Sequence, residues 1–262
     1  MDFGLKGKTA LVLASSKGLG KATAMKFAEE GANVMISSRN EEELQKTADE
    51  IREKTGANIA YKVCDIMDNE QIVDLVYETG NRFGTIDILV NNAGGPPAGN
   101  FDDFADQDWV NAFELTLLSV VRTVRAVLPY MRKQKGGRIV NIASSSFKQP
   151  IENLTLSNTF RTGIMGLGKS LSQELAKDNI LINTIGPGRI ETDRIIELNQ
   201  KTADSKGISL EEVRAQSEAM IPLGRYGTPE EFANILVFLC SEANTYVTGQ
   251  AILVDGGLIK AM

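Results

Sequence analysis

Thr9-Ala10-Leu11-Val12-Leu13-Ala14-Ser15-Ser16-Lys17-Gly18-Leu19-Gly20-Lys21 is the stretch on which the fold turns. Thr9–Ala14 is almost wholly apolar, the pattern of a short strand buried on both faces. Small residues over Ser15–Gly20 break that run. From Lys21 the apolar positions Ala22, Met25, Phe27 and Ala28 predict a helix, with Gly31 as its stop. A strand, a small-residue turn and a helix N-terminus together form an anion site, because unpaired backbone N–H groups and the positive dipole end face one point. Gly18 and Gly20 would let a pyrophosphate and the preceding strand come close to the backbone. These residues alone fit an ordinary βα corner as well, and the rest of the chain separates the two readings.

Outward from this unit, strands and helices alternate to the end. Strands are expected at Asn33–Ser37, Asn58–Val63, Ile86–Val90, Gly137–Ala143, Ile180–Ile185 and Gln250–Val254. Helices are expected at Glu41–Lys54, Asn69–Phe83 (with Ile72, Val73, Leu75 and Val76 inward), Trp109–Lys133 with a break near its start, Thr155–Lys177 and Pro229–Cys240. Pro187-Gly188 opens a charged region, read as irregular, to about Gly224. Such alternation implies βαβ units and a doubly wound parallel α/β sheet covered on both faces. No linker or composition shift divides 1–262, so the expectation is a single domain. Ligands of such sheets bind at the carboxyl ends of the strands, which lines up Ser15–Gly20, Ser38-Arg39, Asp65, Asn91–Gly94, Ser144 and Pro187–Thr192 on one edge.

Composition narrows the chemistry. The 262 residues are 42% hydrophobic, enough for a large core, and the net charge of −6 with no long basic run argues against nucleic acid and acidic membrane as partners. The two cysteines, Cys64 and Cys240, are far apart and sit beside apolar runs, which reads as buried thiols in a reducing compartment. No signal-peptide pattern and no membrane-spanning run are visible, so a soluble cytoplasmic protein is expected. The chain contains no histidine. That removes Ser-His-Asp and Cys-His nucleophile systems and imidazole-bound zinc, and two thiols cannot form an all-cysteine zinc site; no metal site is expected.

The segments on that edge, in that order, resemble the short-chain dehydrogenase/reductase family over essentially the whole chain. Asn91-Asn92-Ala93-Gly94 is similar to its NNAG motif, and Asn183–Gly188 with Ile190 and Thr192 to its PG motif. Pro222–Arg225 and Val247–Gln250 through Asp255-Gly256-Gly257 resemble its C-terminal signatures. The resemblance implies a seven-stranded Rossmann sheet in the order 3-2-1-4-5-6-7, a dinucleotide cofactor, and a homotetramer or homodimer built on the two long central helices. It implies cofactor contacts from Ser15, Ser16, Lys17, Gly18, Leu19, Ser38, Arg39, Asp65, Ile66, Asn91, Ala93, Gly94, Arg161, Pro187, Gly188, Ile190 and Thr192, and a substrate-loop region at about 188–224. In the family's TGxxxGxG motif the first glycine is replaced by Ala14, so that turn is expected to keep a conformation an alanine accepts. Family members that use NAD place an acid after the second strand. Here Ser38, Arg39 and Lys17 suit a 2′-phosphate instead, which points to NADP(H).

The catalytic end departs from the resemblance. The family's Asn-Ser-Tyr-Lys tetrad sets Tyr thirteen residues after Ser and Lys four further, which here gives Ser144, Ser157 and Arg161, with Thr116 at the Asn position. No tyrosine occurs between Tyr130 and Tyr226, so no shift of register restores it. The family's tyrosine is an acid/base with its pKa pulled below about 10, and losing a general acid costs about 10²–10⁴-fold. A serine is far less acidic, and an arginine hardly shuttles protons. The expectation is a carbonyl/alcohol oxidoreductase with Ser144, Ser157 and Arg161 as altered catalytic residues and Lys148 as the nearest substitute donor, although an exposed loop lysine is its plainer reading. Arg189 and Arg194 fit an anionic substrate or simple solvation equally. Two rivals are weighed. Gly163–Ser170 fits the P-loop pattern, but an apolar stripe from Leu156 to Leu175 runs through it, so it reads as helix. A non-catalytic NADP(H)-binding sensor or partner subunit remains the alternative.

Overall fold

The computed structural model describes residues 2–262. Seven strands form one parallel sheet: β1 (Thr9–Val12), β2 (Asn33–Ser38), β3 (Ile59–Val63), β4 (Ile88–Asn91), β5 (Gly137–Ile142), β6 (Ile180–Pro187) and β7 (Ala251–Val254). Their order is β3-β2-β1-β4-β5-β6-β7, as expected. Successive strand residues point to opposite faces, and each face carries its own core. Ala10 and Val12 pack with Phe27 of α1 (Gly18–Glu29), Leu44 and Ile51 of α2 (Glu41–Thr55), and Phe232 and Leu236 of α9 (Pro229–Cys240). Leu11 and Leu13 face Ile72 and Leu75 of α3 (Asn69–Phe83), Val127 and Met131 of α5 (Ser119–Lys133), and Ile164 of α6 (Thr155–Leu175). Cys64 and Cys240 are free and buried, one beneath each face.

Helix ends follow local chemistry. Asn40 accepts from the Glu43 N–H at the start of α2, Asp68 from Glu70 and Gln71 at α3, and Thr228 forms a reciprocal box with Glu231 ahead of Pro229 at α9. Each such cap is worth about 1 kcal/mol. Gly56 and Gly84 close α2 and α3 in the left-handed conformation.

Four expectations are corrected. Val73 is 53% exposed, not inward, because Ile72, Leu75 and Val76 already define the apolar stripe of α3. The helix expected from Trp109 begins at Asp106 as α4 (Asp106–Phe113), widens into a π turn at Glu114–Leu118, and resumes as α5. The region expected to be irregular contains α7 (Asp193–Lys206) and α8 (Leu210–Ala219), the latter opened by a Ser209–Glu212 capping box legible in the sequence as S-x-x-E. Ala14 adopts a positive φ of 45°, a conformation unfavourable for alanine. A Cβ on Gly20 would collide with the Ala14 carbonyl and lie 2.8 Å from the Ser15 Cα, so the helix passes too close for any other residue. Among the described residues no helix is long and apolar enough to cross a membrane.

Candidate active site

The turn after β1 is built from inside. Ser15 is buried, donating to the Val12 carbonyl at 2.7 Å and accepting from the Ser37 N–H at 3.0 Å, so its hydroxyl ties β1 to β2. Ser16 donates to Glu43 Oε2 at 3.1 Å, and its carbonyl accepts from Thr47 at 2.7 Å. Lys17, extended at the N-cap of α1, supplies no side-chain cap, and no acid stands in the first turn. The leading N–H groups of α1 therefore face outward without a protein acceptor, at a left-handed Gly18 (φ +57°). Thr192 stands over them, its Cγ2 3.7 Å from where a Gly18 Cβ would be. The start of α1 lacks a side-chain cap, as do those of α6 and α7, and it alone of the three follows a glycine-rich turn after a strand, the setting a phosphate would complete.

Lys17 and Arg39 are exposed beside this turn, and neither forms an ion pair among the described residues. Half-buried Ser38 closes β2 next to Arg39. These groups fit a dinucleotide with a 2′-phosphate. Glu43 is the residue that sequence reasoning missed here: the first turn of α2 returns a carboxylate to Ser16, one residue from Lys17. Farther along the edge, the Asp65 carboxylate accepts from the Met67 N–H at 3.0 Å, and Ile66 is 9% exposed beside it.

Beyond β4, the four residues of the NNAG motif divide their work. Asn91 is buried, donating to Asn141 at 2.8 Å and accepting from Thr123 at 2.6 Å, so its side chain joins β4, β5 and α5 rather than facing a ligand. Asn92 donates to the Ala14 carbonyl at 3.1 Å, linking this turn to the glycine-rich one. The carbonyls of Ala93 and Gly94 accept from Arg161. A Cβ on Gly94 would meet nothing within 4 Å, so the cleft is open there.

Arg161 occupies the centre. It is 6% exposed and donates Nη1 to the Ile142 carbonyl at 3.0 Å and Nη2 to Ala93 and Gly94 at 3.2 and 3.4 Å. No carboxylate pairs with it among the described residues, and burial alone pushes its pKa down to about 10. It is thus a fixed cation at neutral pH, with its terminal nitrogens engaged by backbone carbonyls. Thr116 lies fully buried in the π turn with no partner for its hydroxyl. Thr116, Asn91, Asn92 and Arg161 line a void just large enough for one water molecule.

Ser144, half-buried after β5, accepts from the Ser146 N–H at 3.2 Å. Ser157 is 7% exposed, one helical turn before Arg161, and its hydroxyl makes no hydrogen bond within the described residues. Lys148 is exposed. Ile190 is buried and bridges to Gly227, and Gly188 lies so close to Asp255 that a Cβ added to it would stand 2.6 Å from the Asp255 Cα, so Pro187–Thr192 folds back over the edge. The P-loop-like Gly163–Ser170 lies wholly inside α6, with no strand before it. The site thus offers hydroxyl donors, a buried cation and an anion cradle.

A family model described as enoyl-(acyl carrier protein) reductase matches residues 13–259. The 3-oxoacyl-[acyl-carrier-protein] reductase FabG of Aquifex aeolicus is 37% identical over 259 residues, 98% of this chain and 100% of its own length. L-Sorbose reductase from Gluconobacter frateurii, solved with NADPH and L-sorbose, superposes with a TM-score of 0.96 at 35% identity, covering 100% of both chains. An NADPH-bound short-chain oxidoreductase from Pseudomonas aeruginosa PAO1, described as containing an atypical catalytic centre, gives a TM-score of 0.91 at 31% identity, covering 99% of this chain and 100% of its own.

Proposed function

The chain belongs to the short-chain dehydrogenase/reductase family, and from that premise we propose that it is an NADP(H)-dependent oxidoreductase of a carbonyl/alcohol pair with an altered proton path. The observation that carries the cofactor is the uncapped start of α1 with Lys17 and Arg39 unpaired beside it. The relatives solved with NADPH support it. In this reading Gly18 and Leu19 hold the pyrophosphate with Thr192, Lys17, Ser38 and Arg39 the 2′-phosphate, and Asp65 and Ile66 the adenine. Ala93, Gly94, Pro187, Gly188 and Ile190 line the nicotinamide end.

When bound, NADPH supplies the hydride. Ser144 and Ser157 offer hydroxyls to the substrate oxygen, and both can stabilise a developing oxyanion by hydrogen bonding. Arg161 acts on that oxygen through its field: a buried cation with carbonyl partners alone favours negative charge nearby. It also pins the post-β4 turn to β5 and so positions the floor of the cleft. The proton comes from water, Lys148 or the substrate, since neither a serine nor a guanidinium donates one readily at neutral pH. The whole chain reads as one cofactor-binding domain in a cytoplasmic protein. A dimer or tetramer is supported by an aromatic cluster of Phe101, Trp109, Phe113 and Phe160 in which Phe101 and Phe113 are exposed, with Val110 of α4 exposed as well.

A second reading is an NADP(H)-binding sensor or subunit without turnover, favoured by the engagement of Arg161 with backbone. Steady-state reduction of a carbonyl panel with NADPH, run beside a calorimetric NADPH titration, separates the two. Binding with turnover supports the enzyme, binding with no turnover of any substrate supports the sensor, and failure to bind NADPH defeats both.

A further inference from the structure

Two guanidinium groups bracket the Gly94–Gly95 segment. On the core side is Arg161, bonded to the Ala93 and Gly94 carbonyls. On the solvent side Arg194 reaches across from the first turn of α7, its Nη2 4.0 Å from where a Cβ on Gly95 would stand, and no other atom comes within 4 Å of that position. Thr192, the N-cap residue of α7, lies beside Gly18, its Cγ2 3.7 Å from where a Gly18 Cβ would be.

Acids that could neutralise Arg194 are turned elsewhere or held loosely. Glu191 pairs with Arg214 at 2.8 Å, and Arg214 also holds Glu218 at 2.8 Å. Arg194 itself meets only Glu197, at 3.8 Å, one turn along the same helix with both side chains half exposed. A pair of that length and exposure contributes little. Asp193 forms no ion pair among the described residues and lies at the start of α7, where the helix dipole suits it. The Gly94–Gly95 segment thus has one loosely engaged guanidinium on its solvent side and a second beneath its backbone that no carboxylate pairs with among the described residues.

We propose that the substrate is an oxo acid whose carboxylate docks on the Arg194 guanidinium across the Gly94–Gly95 segment. This rests on the oxidoreductase reading and names the substrate class of that same site. A guanidinium presents two parallel N–H donors that match a carboxylate, so the contact fixes orientation as well as charge. Gly95 presents no side chain to this face, and Arg194 Nη2 stands at ordinary contact distance from it. Arg194 is a specificity-determining residue in this arrangement: it selects the carboxylate, while Ser144 and Ser157 are the hydroxyls proposed above for the carbonyl oxygen.

The test uses protein loaded with NADP+, which cannot reduce an oxo compound, so binding is read without turnover. Acetoacetate, 2-oxobutanoate and levulinate are each titrated calorimetrically against their methyl esters. At least one acid is expected to bind about tenfold more tightly than its ester, a difference of about 1.4 kcal/mol. Arg194→Gln should erase the difference while changing NADP+ affinity less than about twofold, and Arg194→Lys should restore part of it. Equal binding of all three acids and their esters, no binding of any acid, or a preference that survives Arg194→Gln would overturn the inference. Steady-state turnover with NADPH separates it from its premise. Reduction of neutral ketones without a charge preference removes the oxo-acid inference alone. Acid binding through Arg194 with no reduction of anything removes the oxidoreductase reading alone.

Discussion

Removing Arg39 is expected to weaken NADPH selectively. Two unit charges 4 Å apart interact by about 1 kcal/mol in bulk water and about 4 kcal/mol at an effective dielectric of 20. Arg39 and Lys17 are both exposed, so the aqueous end of that range applies. A phosphate monoester carries about 1.5 to 2 negative charges at neutral pH. Each cation is therefore worth about 1–2 kcal/mol towards a 2′-phosphate, or about 5–30-fold in affinity. Glu43, held by Ser16 one residue from Lys17, works in the opposite direction. Calorimetric titration of NADPH and NADH should show Arg39→Ala and Lys17→Ala each losing NADPH affinity by that factor while NADH changes little. Glu43→Gln should tighten NADPH by about twofold to fivefold, in the range of an exposed charge interaction. Raising salt from about 0.1 M to about 1 M shortens the screening length from about 10 Å to about 3 Å and should narrow the preference. Equal wild-type affinities for the two cofactors, or an Arg39→Ala protein that loses both alike, would refute the assignment.

Three further outcomes are expected. Ser157→Ala should lower turnover by less than about tenfold, since its hydroxyl is one donor among several, whereas Ser157→Tyr with Arg161→Lys should raise reduction of generic ketones; complete loss of turnover in Ser157→Ala with normal NADPH binding would make Ser157 the acid/base. Ala14→Gly should stabilise the fold by about 0.5–1 kcal/mol, because φ is 45° there, and raise the melting temperature by about 1–4 °C; an unchanged or lower midpoint would contradict the strained turn. Light scattering should show an oligomer that Val110→Asp or Phe113→Asp dissociates, both being exposed apolar residues of α4, and a wild-type monomer at micromolar concentration would remove that expectation.

Much of the fold was written locally in the chain. Thr9–Val12, Gly137–Ile142 and Ile180–Ile185 are apolar runs that only a strand covered on both faces can use, and helical stripes between them force right-handed parallel crossovers. The glycine-rich turn, the NNAG segment and the absence of histidine are likewise one-dimensional facts; the first two carried the family resemblance, and the third excluded whole families of chemistry. The helices in the region after Pro187 carried a capping-box signal at Ser209–Glu212 but little apolar periodicity, because α7 buries only Asn199 and Ala203 and α8 only Val213 and Ser217.

Only the tertiary structure decided what the site residues are free to do. Sequence spacing puts Ser15, Asn91 and Arg161 on the ligand edge, yet packing engages Ser15 with β2, Asn91 with Asn141 and Thr123, and Arg161 with three carbonyls from two different strands' ends. The return of Glu43 to Ser16 and the reach of Arg194 to Gly95 join residues 27 and 99 positions apart. A hydrogen bond or a charge acts over a few ångströms of space, and which groups come within that distance depends on how the sheet and its helices close, not on their order along the chain.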